Sequence, residues 1–278
     1  GALDRVCELL GEWWHYVVTD VTAGTAGNGE RLAFLYDSRK VVFDGLAGEL
    51  VLPQPAKGQV LQFARTPFVC GFRAGWSAFS LCTVHIYYGT AKKDDPRRIA
   101  EIRDLATTLA KRARLKKRRS TITSQPAAGT NAAAPPDNLI VLGDFNIFGR
   151  GDATMEALLD AGFVVPKALD GEGIAGTSLG HEHHYDQIAI VPQPRRLDAT
   201  ERGGVFNYYD AVFRDEEERT YAATMGEPYR KKRLAKNGKA SATRYYKDWR
   251  TFQMSDHLVL WAELRIGWAD EALAEYIA

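Results

Sequence analysis

Four short stretches of this chain, TVHIYYG (83 to 89), VLGDFNIFG (141 to 149), HYDQIAI (184 to 190) and MSDHLVLW (254 to 261), set an acid, amide or imidazole at the end of an apolar, strand-like run. A rigid strand end is where a scaffold can hold a polar group in a fixed position, so the fold must be one in which several such ends converge. In VLGDFN, the run Leu139 to Leu142 reads as a buried strand and Gly143 permits a sharp exit. Asp144 and Asn146 are then expected to point the same way, because side chains two apart share a face. A carboxylate beside an amide suits a hard cation or a phosphoryl oxygen. Taken alone, GDFN also reads as an Asx turn closing a strand.

The rest of the chain supplies the partners these strands need. Residues 2 to 11 carry Leu3, Val6, Leu9 and Leu10 at helical spacing. Strand-like runs follow at 31 to 37, 40 to 45 and 67 to 89, the last broken like a hairpin at Ala74 and Gly75. Ile99, Ile102, Leu105 and Leu109 then predict an amphipathic helix from Asp95 to about Arg114. Residues 115 to 137, beginning in a Lys/Arg run and continuing in Ser, Ala, Gly and Pro, predict a mobile, dispensable loop. A short helix over 152 to 161, strands over 185 to 191 and 257 to 266, and a long insertion over 203 to 254 complete the pattern. Strand-rich halves each followed by helices predict one domain spanning 1 to 278, an α+β sandwich of two packed sheets with helices outside.

Composition narrows the function. With 45% apolar residues a buried core is available, and a formal net charge of +1 excludes a global field drawing the molecule onto nucleic acid, leaving only local patches. Cys7, Cys70 and Cys82 are odd in number, two of them in apolar runs, which favours reduced thiols and a cytoplasmic protein. No run reaches the ~18 apolar residues of a membrane span, and the first residues lack the pattern of a signal peptide.

The ordered set of strand-end His85, GDFN, YDQI and SDH resembles the endonuclease/exonuclease/phosphatase superfamily, the deoxyribonuclease-like fold, along essentially the whole chain. That resemblance implies a four-layered α/β/β/α sandwich and hydrolysis of a phosphate ester with a divalent metal, usually magnesium, with manganese or calcium as alternatives. It also implies roles. His257 is the base or the imidazole contacting the scissile phosphate, Asp186 orients it, and Asp256 is a metal ligand, with Asp144 and Asn146 also placed at the metal. Asp144 and Asn146 hold the attacking water and the phosphate, and His85 binds phosphate or protonates the leaving oxygen. Glu30 resembles the carboxylate partnering the first histidine, and Arg65 a phosphate-contacting arginine. His181, His183 and His184 read as a polar loop rather than a zinc site, lacking a fixed scaffold spacing.

Family domains begin with strands bearing a T-W-N-like asparagine and a Q-E-like glutamate that ligates the metal, and neither motif is in this sequence. The expectation is therefore an N-terminally truncated domain, with the missing strands supplied upstream or by another chain, or else a catalytically impaired nucleic-acid-binding module. Substrate class is read from Tyr229 to Arg250, where nine Lys/Arg face one acid among aromatics. Lys231, Lys232 and Arg233 would neutralise phosphates while Tyr245 and Trp249 stack on bases, which predicts a nuclease on DNA or RNA. A small phosphoester such as a phosphoinositide, nucleotide or phospholipid head group is the alternative substrate.

Overall fold

The computed structural model describes the chain except residues 21–28, 53–61, 76, 124–137, 172, 193–196, 269, 271–272, 275–276 and 278, and describes 114–123 as backbone alone. In chain order the elements are α1 (Ala2–Leu10), β1 (Trp14–Val18), β2 (Ala33–Asp37), β3 (Val42–Glu49), β4 (Phe68–Ala74), β5 (Ser77–His85) and α2 (Pro96–Thr123). They continue with β6 (Asn138–Asp144), α3 (Ala153–Leu159), α4 (Lys167–Asp170), β7 (Asp186–Ile190), β8 (Asp198–Phe206), α5 (Ala222–Leu234), α6 (Gly238–Gln253) and β9 (Val259–Arg265).

Five strands form one sheet in the order β3-β4-β5-β6-β7. All its pairs are antiparallel except β5 with β6, which run parallel and are joined through α2. Parallel neighbours need such a crossover, and α2 is the helix that makes it. Asp95 caps its start, accepting the backbone N–H groups of Arg97 (3.0 Å) and Arg98 (3.3 Å), with Pro96 in the first turn where it forfeits no hydrogen bond. Ile102, Leu105 and Leu109 of α2 and Met155 and Leu158 of α3 pack with Cys82, Val84, Val141 and Ala189 on one face of the sheet.

The opposite face carries two separate ribbons. Strands β1 and β2 cover an aromatic cluster of Phe34, Phe68 and Phe72, while β8 and β9 bring Leu264 onto Ile140 and Ile190. The expected second sheet is thus present as a layer but split into two pairs. Strand β1 escaped the sequence reading because its five residues do not alternate cleanly between buried and exposed. Helix α2 runs on to Thr123, past the predicted end near Arg114, since Lys, Arg and Leu are good helix formers and no breaker intervenes. The remainder of the loop expected there, 124–137, lies outside the described residues. Residues 203 to 254 begin inside β8 and then fold as α5 and α6, which bury Met225, Tyr229, Ala242 and Tyr246 between them. Among the described residues no helix is long and apolar enough to cross a membrane. Burial pushes the free thiols of Cys70 and Cys82 up to about 11 and about 12.

Two backbone-level devices lock the site edge of the sheet. Gly143 adopts φ 128°, and a Cβ there would lie 2.2 Å from the carbonyl oxygen of Val84, so only glycine lets β6 approach β5 this closely. Gly143→Ala should therefore lower stability by roughly 1–3 kcal/mol, read as a reduced urea midpoint at constant m-value, and a change inside about 0.5 kcal/mol would refute the clash. The second device is Glu101, fully buried on α2, whose Oε1 accepts the N–H groups of Ala64 (3.2 Å) and Tyr87 (3.3 Å). Burial raises its carboxyl from 4.5 to about 7, with those backbone bonds opposing. A raised acid pKa means the folded state keeps a proton that the unfolded chain releases, so stability falls as pH climbs through that window, by on the order of 3 kcal/mol. Glu101→Gln keeps the acceptor oxygen and should flatten this decline, melting above the parent protein at pH 8; an unchanged pH profile would show that Glu101 does not titrate there.

Candidate active site

The parallel register of β5 and β6 sets His85 opposite Asp144, and the antiparallel register of β6 and β7 sets Asp144 opposite Asp186. Three sequence-predicted residues thus stand side by side on adjacent strands at one edge of the sheet. His257 reaches the same place from the other layer, just before β9. Its backbone bridges to Ser178, the N–H of Leu258 bonds to the carbonyl of Thr177 (2.7 Å), and Thr177 Oγ1 accepts the N–H of Asp186 (3.1 Å). One short loop therefore ties the acid and the imidazole together.

Two imidazole–carboxylate pairs result. His257 Nδ1 lies 2.8 Å from Asp186 Oδ2, and His85 Nδ1 lies 2.7 Å from Glu30 Oε2, with His85 Nε2 a further 3.3 Å from Asp144 Oδ2. With Nδ1 of His257 donating to Asp186, its Nε2 is the nitrogen left to act, whereas Nε2 of His85 faces Asp144. The side chains of Glu30, His85, Asp144, Asp186 and His257 are 17% to 33% exposed, so a ligand can reach them while their fields stay poorly screened. Burial alone would lower the pKa of His257, but the hydrogen bond and charge of Asp186, with the charges of Asp144 and Asp256, push it up to about 9. For Asp144 burial dominates and raises the carboxyl, the nearby His257 and His85 pulling it back.

Asp144, Asp186 and His257 place one donor atom each within 4.8 Å of one another and form a group that could hold a metal ion. Of the expected metal ligands this set contains Asp144 alone. Asp256 is an exposed neighbour that acts on His257 through its charge. Asn146 is buried beyond the end of β6 at φ 52°, its Nδ2 donating to the carbonyl of Ile86 (2.8 Å) and its N–H bonding Asp144 Oδ1 (2.8 Å). That Asx turn, not pleat alternation, fixes the relation of Asp144 to Asn146. The contacts of Arg65 run to Glu30, with Nε 2.7 Å from Oε2 as an ion pair and Nη2 donating to Oε1 at 3.3 Å, so it braces the carboxylate behind His85.

The basic and aromatic residues singled out on the insertion sit on α5 and α6. Tyr245 and Trp249 pack partly buried against the cluster between those helices. Arg233 lies near Glu218 (3.9 Å) and bonds the hydroxyl of Tyr229 (3.3 Å), while Lys231 and Lys232 are exposed. The turn before the helix pair is tied to the site loop and to α6: Tyr208 Oη lies 2.7 Å from the carbonyl of Ser255 and 2.9 Å from that of His257, and Tyr209 Oη bonds those of Ser255 (2.8 Å) and Arg250 of α6 (3.3 Å).

Sequence reading missed the buried arginine behind the site. Arg98, fully buried, donates from Nη1 to the carbonyl of Asn146 (2.7 Å) and from Nη2 to the carbonyls of Thr90 (3.3 Å) and Lys92, fastening the loops that follow β5 and β6 to α2. It also missed the aromatic character of those loops and of the one before β7, where Tyr88, Phe148, His183 and Tyr185 pack ring against ring. The available signal was an aromatic two or three residues beyond His85 and Asn146.

No family model matches the chain, and no curated protein matches it. Solved structures do. A conserved protein of unknown function from Enterococcus faecalis V583 aligns with TM-score 0.51 at 15% identity over 91% of this chain and 77% of its own. An endonuclease/exonuclease/phosphatase family protein from Leptotrichia buccalis C-1013-b aligns with TM-score 0.48 at 11% identity, over 95% of this chain and 77% of its own. The human Nocturnin catalytic domain, with bound sulfate, aligns at 0.46 and 14% identity over 71% of this chain, which spans 65% of that domain's length. At such identities the likeness is one of fold. The fold is shared with the Enterococcus faecalis protein, and in it His85, Asp144, Asp186 and His257 gather at the strand ends of a mixed sheet that lies between helices and a second strand layer.

Proposed function

We propose that this protein is a divalent-metal-dependent phosphodiester hydrolase acting on nucleic acid. The observation that carries the reading is the pairing of two imidazoles with two carboxylates around Asp144 at a single, partly open sheet edge. Hydrolysis of a phosphodiester needs an activated water, neutralisation of the non-bridging oxygens and a proton for the leaving oxygen. His257, oriented by Asp186, serves the scissile phosphate as the cation that a pKa of about 9 makes it, or the water where a bound metal ion would offset the carboxylates that raise that pKa. His85, oriented by Glu30, serves the phosphate or the leaving oxygen from the opposite strand.

The donor chemistry fits a hard cation. Asp144 and Asp186 offer carboxylate oxygens, and desolvation of Asp144 is the kind of cost that a bound cation relieves. Magnesium bound there would neutralise phosphate charge and lower the pKa of a coordinated water. Asp256 and Asn146 remain proposed contributors from beside the site. Such an ion takes about six oxygens, with waters and substrate phosphate filling the positions that one or two carboxylates leave; the missing Q-E-like glutamate would be supplied by another segment or chain.

For nucleic acid, the support is the exposed basic surface of α5 and α6 and its tether to the His257 loop through Tyr209, which bonds the carbonyls of Arg250 on α6 and Ser255. A small phosphoester is the second reading. It is favoured by the ion pairs of Asp215 with Lys247 (2.7 Å) and Arg250 (2.8 Å), which neutralise part of that surface from within.

Magnesium should switch on cleavage of single-stranded DNA or RNA, and His257→Ala should cut kcat by roughly 10²–10⁴-fold, with Asp186→Asn costing about 10–100-fold. Chelator-resistant cleavage, or His257→Ala at parental rate, would refute the assignment. Replacing Lys231, Lys232 and Arg233 with alanine should weaken polynucleotide binding and flatten its salt dependence by about one unit of slope per lost phosphate contact. If affinity and slope both survive, the small-phosphoester reading takes precedence.

A further inference from the structure

The loops beside Asp144 on three adjacent strands each contribute an aromatic ring. Tyr88 follows His85, Phe148 follows Asn146, and His183 and Tyr185 precede Asp186. These rings form one continuous series that starts at the imidazole of the site. Tyr185 stacks on His257 with centroids 5.3 Å apart and planes at 28°. Phe148 packs edge-on against Tyr185 at 5.3 Å and lies 4.9 Å from His183, and Tyr88 stacks on Phe148 at 6.3 Å and 25°.

This series is not an ordinary core cluster. Tyr88 is 42% exposed, and Phe148, His183 and Tyr185 are only partly buried. The guanidinium of fully buried Arg98 lies 4.9 Å from the Phe148 ring and 5.8 Å from the Tyr88 ring, and both rings remain partly open to solvent. A rigid aromatic surface of this kind loses little entropy when a planar group lies on it. It also begins at Tyr185, in contact with His257, with Phe148 and His183 as the next rings outward.

We propose that Tyr88, Phe148 and His183 form a stacking site for a base of single-stranded nucleic acid whose adjacent phosphate sits at Asp144 and His257. The inference rests on the phosphodiesterase reading and adds to it a base-recognition element. Because stacking uses the ring face common to all bases, the site selects unpaired over paired strands and is tolerant of sequence. It is distinct from the helical surface of α5 and α6, where Tyr229, Tyr245, Tyr246 and Trp249 belong to their shared cluster and Phe252 stands exposed.

The test reads binding, so that it does not depend on turnover. Affinity for a short oligothymidylate is compared with that for a strand of equal length and charge built from baseless deoxyribose units. The base-bearing strand should bind about 5- to 150-fold more tightly, the range spanned by stacking of one base. In Tyr88→Ala that ratio should collapse toward one, and in Tyr88→Phe, which keeps the ring, it should return. Unaltered melting of both variants shows that the fold is intact. Equal affinity for the two strands, no measurable binding of either, or a preference that Tyr88→Ala leaves in place overturns the stacking site. A Tyr88-dependent base preference in a protein that cleaves neither strand with magnesium overturns the hydrolase reading instead and leaves the stacking site standing.

Discussion

The parallel pairing of β5 with β6 is the contact on which the site depends. Their register places His85 beside Asp144, and it holds only because Gly143 lets the backbone of β6 pass close to Val84. Since neighbouring parallel strands cannot be joined by a tight turn, the pairing obliges the chain to cross over through α2. That helix then does more than connect. Asp95, Arg98 and Glu101, all near its start, fasten the loops after β5 and β6 and the segment around Ala64. A topological requirement thereby becomes the support for the site.

Electrostatics at this edge is one of mutual compensation. Each imidazole is partnered by a carboxylate, Arg65 partners Glu30, and Asp144 lies between the two pairs. Removing any member leaves a partly buried charge without its counterpart, so the cluster behaves as a unit rather than as separable groups. The excess of carboxylate over permanent positive charge around Asp144 and Asp186 is what makes a cation a fitting guest and raises the pKa of His257.

The insertion between β8 and β9 shows how the same composition supports different readings. Its basic residues are abundant, yet Asp215 and Glu218 face several of them, and its aromatic residues largely pack between α5 and α6. A series of partly open aromatic rings lies instead on the loops beside the site, where Arg98 contacts Phe148 and Tyr88.

Much of the fold and the nucleus of the site were legible in the sequence. Alternation and apolar runs gave β2, β4, β5, β6, β7 and β9, the spacing of Ile102, Leu105 and Leu109 gave α2, and the motif order brought forward Glu30, His85, Asp144, Asp186 and His257. These signals are local, set by which side chains a strand or helix must bury. What the tertiary structure alone decided were the register that aligns His85, Asp144 and Asp186, the Asx turn that buries Asn146, and the splitting of the second strand layer. It also decided that Arg65 faces Glu30 and that Arg98 lies under Tyr88 and Phe148. Those outcomes depend on which segments distant in the chain come into contact, and the identity of a residue carries no record of its partner until the chain has folded around both.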